Sequence, residues 1–157
     1  MKKHTPWRFL ADGGVEISAP PPYPWINYLS NGRYCAIISQ RGGGYSFYKD
    51  PGKNRVSRWR PENYMADLPG RFVYVIDRAN GEWFTLNGIE AGARAAKCVH
   101  RPGETSLSHS AKGVRVDAEY IVPPGDDVEI WSVRLGIDGK KKGAARRLRV
   151  VVAVLGG

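Results

Sequence analysis

Three glycines run straight into three aromatics within the segment Arg41-Gly42-Gly43-Gly44-Tyr45-Ser46-Phe47-Tyr48-Lys49-Asp50-Pro51, the most unusual stretch of the sequence. Consecutive glycines reach backbone conformations closed to other residues, so a loop built from them can approach a ligand or another chain closely. No Gly-Lys-Ser/Thr follows and no helix begins there, which excludes a phosphate-binding P-loop. Tyr45, Phe47 and Tyr48, beside Lys49 and Asp50, could stack on sugar rings or pack a partner. They could equally fill a core on alternate faces of a glycine-bent hairpin.

Two further constellations have chemical potential. Upstream, Pro22-Tyr23-Pro24-Trp25-Ile26-Asn27-Tyr28-Leu29 joins a stiff entry to a large aromatic, Trp25, and an amide, Asn27. Downstream, Arg55, Arg58, Arg60 and Arg71 surround Trp59 and Tyr64, which reads either as an anion or saccharide site or as solvated arginines lying over aromatic faces. Nucleophile arrangements are absent: there is no GxSxG elbow, and the three histidines have no neighbours at triad spacing. No pair of carboxyls is placed for glycosidic cleavage, and Asp126-Asp127 sits in a Pro123-Pro124-Gly125 turn. The sequence nominates no catalytic residue. Cys98, His100 and His109 lack the four-ligand spacing of structural zinc, so no metal is expected, and Cys35 and Cys98 read as reduced, buried thiols.

The elements that must position these residues are strands. Eleven prolines and nineteen glycines punctuate the chain, and no twelve-residue stretch carries the helical 3.6 period. The expected strands are Trp7–Leu10, Val15–Ser18, Tyr34–Ser39, Tyr45–Tyr48, Val56–Arg60, Phe72–Asp77, Glu82–Thr85, Arg94–His100, Val114–Val122, Val128–Ile137 and Leu148–Leu155, a sandwich-like set. Asp12-Gly13-Gly14 and Asn80-Gly81 predict two tight hairpins. Val73 and Val75 alternate with Phe72, Tyr74 and Ile76, which predicts a strand covered on both faces. From Val128 to Leu135 the apolar face changes midway, as a bulge or a partner domain would cause. Val150–Leu155 is an uncharged apolar run that wants neighbours on both faces, and it leads to the expectation that the natural polypeptide continues past Gly157.

At 157 residues, 42% hydrophobic and 25% charged, the chain fits one soluble domain, 1–157, with no export signal and no apolar run of membrane length; a cytoplasmic location is expected. The net charge of +9 is uneven: Lys140, Lys141, Lys142, Arg146, Arg147 and Arg149 cluster near the end. A basic hairpin turn is favoured there over a nucleic-acid footprint.

Pro22 to Leu29 and Gly43 to Asp50 resemble, in order, two early motifs of the cellobiose and chitobiose phosphorylases, glycoside hydrolase family 94. The likeness continues through Arg55, Arg58, Arg60, Pro69-Gly70-Arg71, Tyr74, Asp77 and Trp83, and resumes at Val122-Pro123 and Glu129-Ile130. The resemblance implies an all-β antiparallel supersandwich of galactose-mutarotase type, with few or no helices. It also implies inverting phosphorolysis of β-linked disaccharides by a whole enzyme in which a separate (α/α)6 barrel supplies the general acid and binds inorganic phosphate, the co-substrate. No other cofactor is implied, and homodimers are usual. The family's His-Gly-Leu-Gly-Tyr stretch stands here as His100-Arg101-Pro102-Gly103-Glu104, which weakens any sugar contact carried over through it. The expected reading is a non-catalytic N-terminal domain or truncated product. Its residues for carbohydrate or interdomain contact are Trp25, Asn27, Tyr45, Phe47, Tyr48, Lys49, Arg58 and Arg60. The alternative is a stand-alone carbohydrate-binding or subunit-interaction module.

Overall fold

A computed structural model describes residues 5–58, 67–137 and 146–154. Among these the chain forms strands and no helix. The first six are β1 (Trp7–Phe9), β2 (Val15–Ile17), β3 (Ile26–Ser30), β4 (Tyr34–Ser39), β5 (Ser46–Tyr48) and β6 (Arg71–Asp77). The remainder are β7 (Trp83–Thr85), β8 (Lys97–Arg101), β9 (Glu104–Ala111), β10 (Val114–Ile121), β11 (Ile130–Ile137) and β12 (Leu148–Val154). Every pairing is antiparallel. A six-stranded sheet in the order β1-β2-β8-β9-β10-β11 is joined by two three-stranded sheets, β12-β6-β7 and β3-β4-β5. The all-β antiparallel sandwich expected from the sequence is the observed architecture.

The core lies where the inner faces of the three sheets meet. Leu29, Ala36 and Ile38 come from β3 and β4, Val73 and Val75 from β6, and Leu107, Val114, Val116, Ala118 and Tyr120 from β9 and β10. All are buried. Alternation along each strand makes this possible, because residues two apart project to one face and every second residue reaches the core. Burying one such aliphatic side chain contributes about 1.5–3 kcal/mol.

Both expected hairpins form. Gly13 turns between β1 and β2 at φ +81°, with the Gly14 N–H donating to Asp12 Oδ1 at 3.0 Å, and Asn80-Gly81 turns between β6 and β7. Cys35 and Cys98 are free and buried.

Three expectations need correction. The sequence reading missed β3 and β9. In β9 the core-facing residues are Thr105, Leu107 and His109, and the polar pair hides the apolar period. The expected strand at Val56–Arg60 does not form over Val56–Arg58: Arg55 makes an isolated bridge with Phe47, and the Ser57 hydroxyl accepts the Ser46 N–H at 2.8 Å, taking the place of a backbone carbonyl. Trp59, Arg60, Tyr64 and Lys140 to Lys142 lie outside the described residues. Finally, β11 has no bulge. Its register with β10 is continuous from Ile130↔Ile121 to Ile137↔Val114, so Trp131, Val133, Leu135 and Ile137 form one inward row.

Candidate functional site: a buried arginine–glutamate hub

Arg71 opens β6 on the same face as Val73 and Val75, so its side chain enters the core, where it is 1% exposed. A guanidinium taken from water must recover a partner for each donor or its burial costs several kcal/mol. Here all five N–H donors are met. Nε donates to Glu129 Oε1 at 2.6 Å, and Nη1 to the carbonyls of Ile37 and Gly43, both at 3.2 Å. Nη2 donates to Ser46 Oγ at 2.7 Å and to Glu129 Oε2 at 3.1 Å.

Glu129 is just as fully used. Besides Arg71, its Oε1 accepts from the Trp131 indole N–H at 2.6 Å and its Oε2 from the Ser46 hydroxyl. These four bonds fill the four lone-pair positions of a carboxylate. Burial pushes the Glu129 carboxyl up, but the Arg71 charge and the bonds from Arg71, Ser46 and Trp131 outweigh it and hold the group below its ordinary value. The hub pins β6 in one sheet to β4 and β5 in the second and to the entry of β11 in the six-stranded sheet. This overturns the reading of Arg71 as a solvated arginine beside Trp59 and Tyr64: with five internal acceptors it has no need of water.

The glycine segment is part of the same assembly. The Gly43 carbonyl takes an Arg71 donor, the Gly43 N–H donates to Ser39 Oγ at 2.8 Å, and the Gly42 carbonyl accepts the N–H groups of Gly70 and Arg71 at 3.1 and 3.2 Å. Gly44 sits at φ +90°, and a Cβ there would lie 2.1 Å from the Ile37 carbonyl oxygen. At Gly43 a Cβ would meet Asp67 Oδ1 and Ser39 Oγ, both at 2.8 Å. The glycines therefore let protein approach protein, and the N–H groups of Gly42 and Gly43 are both taken by Ser39 rather than offered to a ligand. Asp67, buried and at φ +45°, accepts from Gln40 Nε2 at 2.6 Å; burial raises its carboxyl pKa against the opposing pull of Ser39, Arg41 and Gln40.

The residues singled out from the sequence separate into two groups. Trp25 packs against Trp7 with ring centroids 5.0 Å apart, its N–H donates to Gln40 Oε1 at 2.7 Å, and its carbonyl meets His100 Nε2 at 3.2 Å. Asn27 clamps the β8–β9 turn: Nδ2 donates to the carbonyls of Arg101 and Glu104 at 2.8 and 3.0 Å and lies 3.1 Å from Thr105 Oγ1. Tyr45 and Phe47 lie instead on the outer face of β3-β4-β5, rings 5.8 Å apart, on the side carrying the exposed Tyr28. Arg55 lies 5.6 Å over the Tyr45 ring and Lys49 4.9 Å over that of Tyr48. Arg58 is exposed, and Arg60 is outside the described residues. Of the basic cluster, Arg146 is paired with Asp77 at 2.8 Å, while Arg147 and Arg149 face solvent.

Sequence reasoning missed the hub, though two signals pointed to it. Arg71 shares strand parity with Val73 and Val75, and Glu129 shares it with Trp131 and Val133. It also missed a second aromatic row on the outer face of β6 and β7, where Phe72 and Tyr74 lie 5.9 Å apart and Tyr74 and Trp83 6.0 Å apart.

Residues 15–154 match the model of the glycosyl hydrolase 94 supersandwich domain, a span that contains every residue of the hub. The chain belongs to that family. Within family 94 it is 34% identical over 119 residues to the N,N'-diacetylchitobiose phosphorylase of Vibrio furnissii, covering 73% of this chain and 15% of that protein. The enzyme of the same name from Vibrio proteolyticus is 37% identical over 119 residues, covering 71% and 14%. The 3-O-beta-D-glucopyranosyl-beta-D-glucuronide phosphorylase of Paenibacillus borealis is 30% identical over 146 residues, covering 90% and 18%. The chain thus spans less than a fifth of the length of these relatives. Among the described residues no helix is long and apolar enough to cross a membrane.

Proposed function

We propose that this family 94 chain serves as the N-terminal scaffold of a cytoplasmic glycoside phosphorylase and performs no chemistry by itself. The observation that carries the reading is the saturation of Glu129. A general acid must hold a proton within reach of a substrate oxygen, and a carboxylate engaged at all four lone-pair positions, beside a guanidinium that keeps it ionised, holds none. On this reading the substrate is a β-linked disaccharide and the co-substrate inorganic phosphate, both handled by a barrel domain to which the sandwich docks. The test is phosphate release from α-glucose 1-phosphate with glucose or N-acetylglucosamine as acceptor. The expected outcome is no turnover by this chain alone; turnover, whether or not it survives Glu129→Gln, would place a catalytic group on it and contradict the reading.

A second reading, saccharide binding, is favoured by one observation: Tyr45 and Phe47 share the outer face of β3-β4-β5 with Tyr28, whose ring is exposed. Aromatic faces of this kind stack on the apolar faces of sugar rings. Calorimetry with cello- and chito-oligosaccharides tests it. Heat that Tyr45→Ala abolishes supports the reading, and no heat at millimolar sugar rules it out.

A further inference from the structure

Apart from the hub, a second polar joint ties the β3-β4-β5 sheet to the six-stranded sheet, and a histidine sits at its centre. His100 of β8 pairs with Val15 of β2 and is 8% exposed. Its Nε2 lies 3.2 Å from the Trp25 carbonyl oxygen, which also accepts the Gln40 N–H at 3.1 Å. A carbonyl only accepts, so Nε2 carries the hydrogen and Nδ1 of the neutral ring is bare. The Thr105 hydroxyl, 3.0 Å from Nδ1, supplies the donor that Nδ1 needs. Its oxygen faces the Asn27 amide nitrogen at 3.1 Å, a group with hydrogens and no lone pair to offer, so the hydroxyl hydrogen is left to point at His100. One tautomer of the neutral imidazole thus satisfies the entry of β3, the end of β4, β8 and β9 together.

The protonated ring does not fit this arrangement. A hydrogen on Nδ1 confronts the hydroxyl hydrogen of Thr105, which is fully buried. The charged groups around the joint are also committed elsewhere. Arg101, on the same hairpin, is paired with Asp12 of the β1–β2 turn at 2.9 Å and with Glu104 at 3.5 Å. Asp67 accepts from Gln40 Nε2 at 2.6 Å, and burial favours its neutral form. Glu16 of the neighbouring β2 lies on the other face of the sheet, held by Arg8 and Lys97. Cys98, whose sulfur is 3.6 and 3.7 Å from the two ring nitrogens, is kept a neutral thiol by burial. Burial accordingly holds the imidazole below its ordinary value, against the opposing pull of the Trp25 carbonyl. An exit lies beside the ring: with Val15, Ile26 and Pro102 it lines a cleft of about 380 Å3 that opens to solvent.

We propose that this end of the sandwich is an acid-sensitive joint: a proton on His100 turns its ring out into the cleft, and the Trp25 entry of β3 comes away from the β8–β9 hairpin while the Arg71–Glu129 hub holds the rest together. The folded joint favours the neutral ring, so it is at full strength above the ordinary histidine value of about 6.5 and weakens as pH falls from there through the lower folded value. Each pH unit across that interval favours opening about tenfold. The hub gives way only at the lower pH where Glu129 takes up a proton, so the two losses are separate.

Nuclear magnetic resonance and amide hydrogen exchange on this chain test the proposal. At pH 8 His100 is expected to carry its hydrogen on Nε2, and on acidification to titrate below about 6.5. Exchange of the Gln40 amide, whose N–H reaches the Trp25 carbonyl, is expected to rise about tenfold between about pH 6.5 and 5.5 relative to the amides of Val73 and Val75, after correction for the intrinsic pH dependence of exchange. His100→Gln, which keeps a donor for the Trp25 carbonyl and takes up no proton, is expected to abolish that rise. Should the variant fail to fold, the tautomer and titration of His100 in the parent chain decide the question. A hydrogen on Nδ1, titration at the ordinary value, a Gln40 amide whose exchange does not rise, a rise shared equally by β6, or a rise that persists in His100→Gln overturns the proposal.

Discussion

At Gly44 the chain folds back so closely on Ile37 that even a methyl group has no place, whereas the Cβ of an alanine at Gly13, also at positive φ, would meet open space. The two positions separate two costs that glycine-to-alanine changes usually mix. Gly13→Ala is charged only for its backbone conformation and is expected to lose about 1–2 kcal/mol. Gly44→Ala adds a collision with a backbone carbonyl and is expected to lose more than about 3 kcal/mol or to fail to fold. Urea unfolding of both variants makes the comparison. A second residue-scale expectation concerns Asp67. Its folded-state pKa is raised by burial, so its ionisation works against folding: the strain is absent below the ordinary aspartate pKa and grows as pH rises through the higher folded value. Asp67→Asn is therefore expected to raise the unfolding midpoint at neutral pH, with a gain that disappears in acid. A gain that persists unchanged at low pH would trace to something other than charge.

Among the elements, the β8–β9 hairpin depends on a side chain remote in sequence. Its turn carbonyls, Arg101 and Glu104, both accept from Asn27 of β3. Asn27→Ala strands these acceptors and is expected to cost about 2–3 kcal/mol, with faster amide exchange in β8 and β9 than in β6. Exchange that rises equally everywhere would show a general rather than a local loss. The same clamp explains what was legible in the sequence. Strands with β-branched alternation and glycine-marked turns, such as β6, β7 and β10, were readable because the signal lies within each segment. β3 was not, because it follows the stiff Pro22 and Pro24 entry and places the polar Asn27 on the face it shares with Leu29, and Asn27 is accounted for only by a partner more than seventy residues away. β9 hid for a related reason: Thr105 faces the core and lies 3.0 Å from His100 Nδ1, a pairing that segment-by-segment reading does not contain.

For the whole molecule, the hub is where the three sheets are joined. The glycine motif that stands out in the sequence is the backbone wall of that hub, and the aromatics that follow it divide between the two faces, Tyr45 and Phe47 outward and Tyr48 on the side of Ser46 and Tyr34. Glutamate 129, held below its ordinary value, contributes stability above the unfolded-state glutamate pKa of about 4.3, and that contribution is lost as pH falls through its lower folded-state value. The chain is thus expected to weaken in acid, and Glu129→Gln to flatten that dependence. A buried pair of this kind is worth little as a sum of attractions but costs dearly to break, because either partner left alone is an uncompensated buried charge. The direct test of the scaffold account is a double-mutant cycle on Arg71→Met and Glu129→Gln, followed by urea unfolding. Each single change is expected to cost about 3–5 kcal/mol, and the double change clearly less than their sum. Strictly additive losses, or single variants as stable as the parent, would contradict the claim that Arg71 and Glu129 hold the three sheets together.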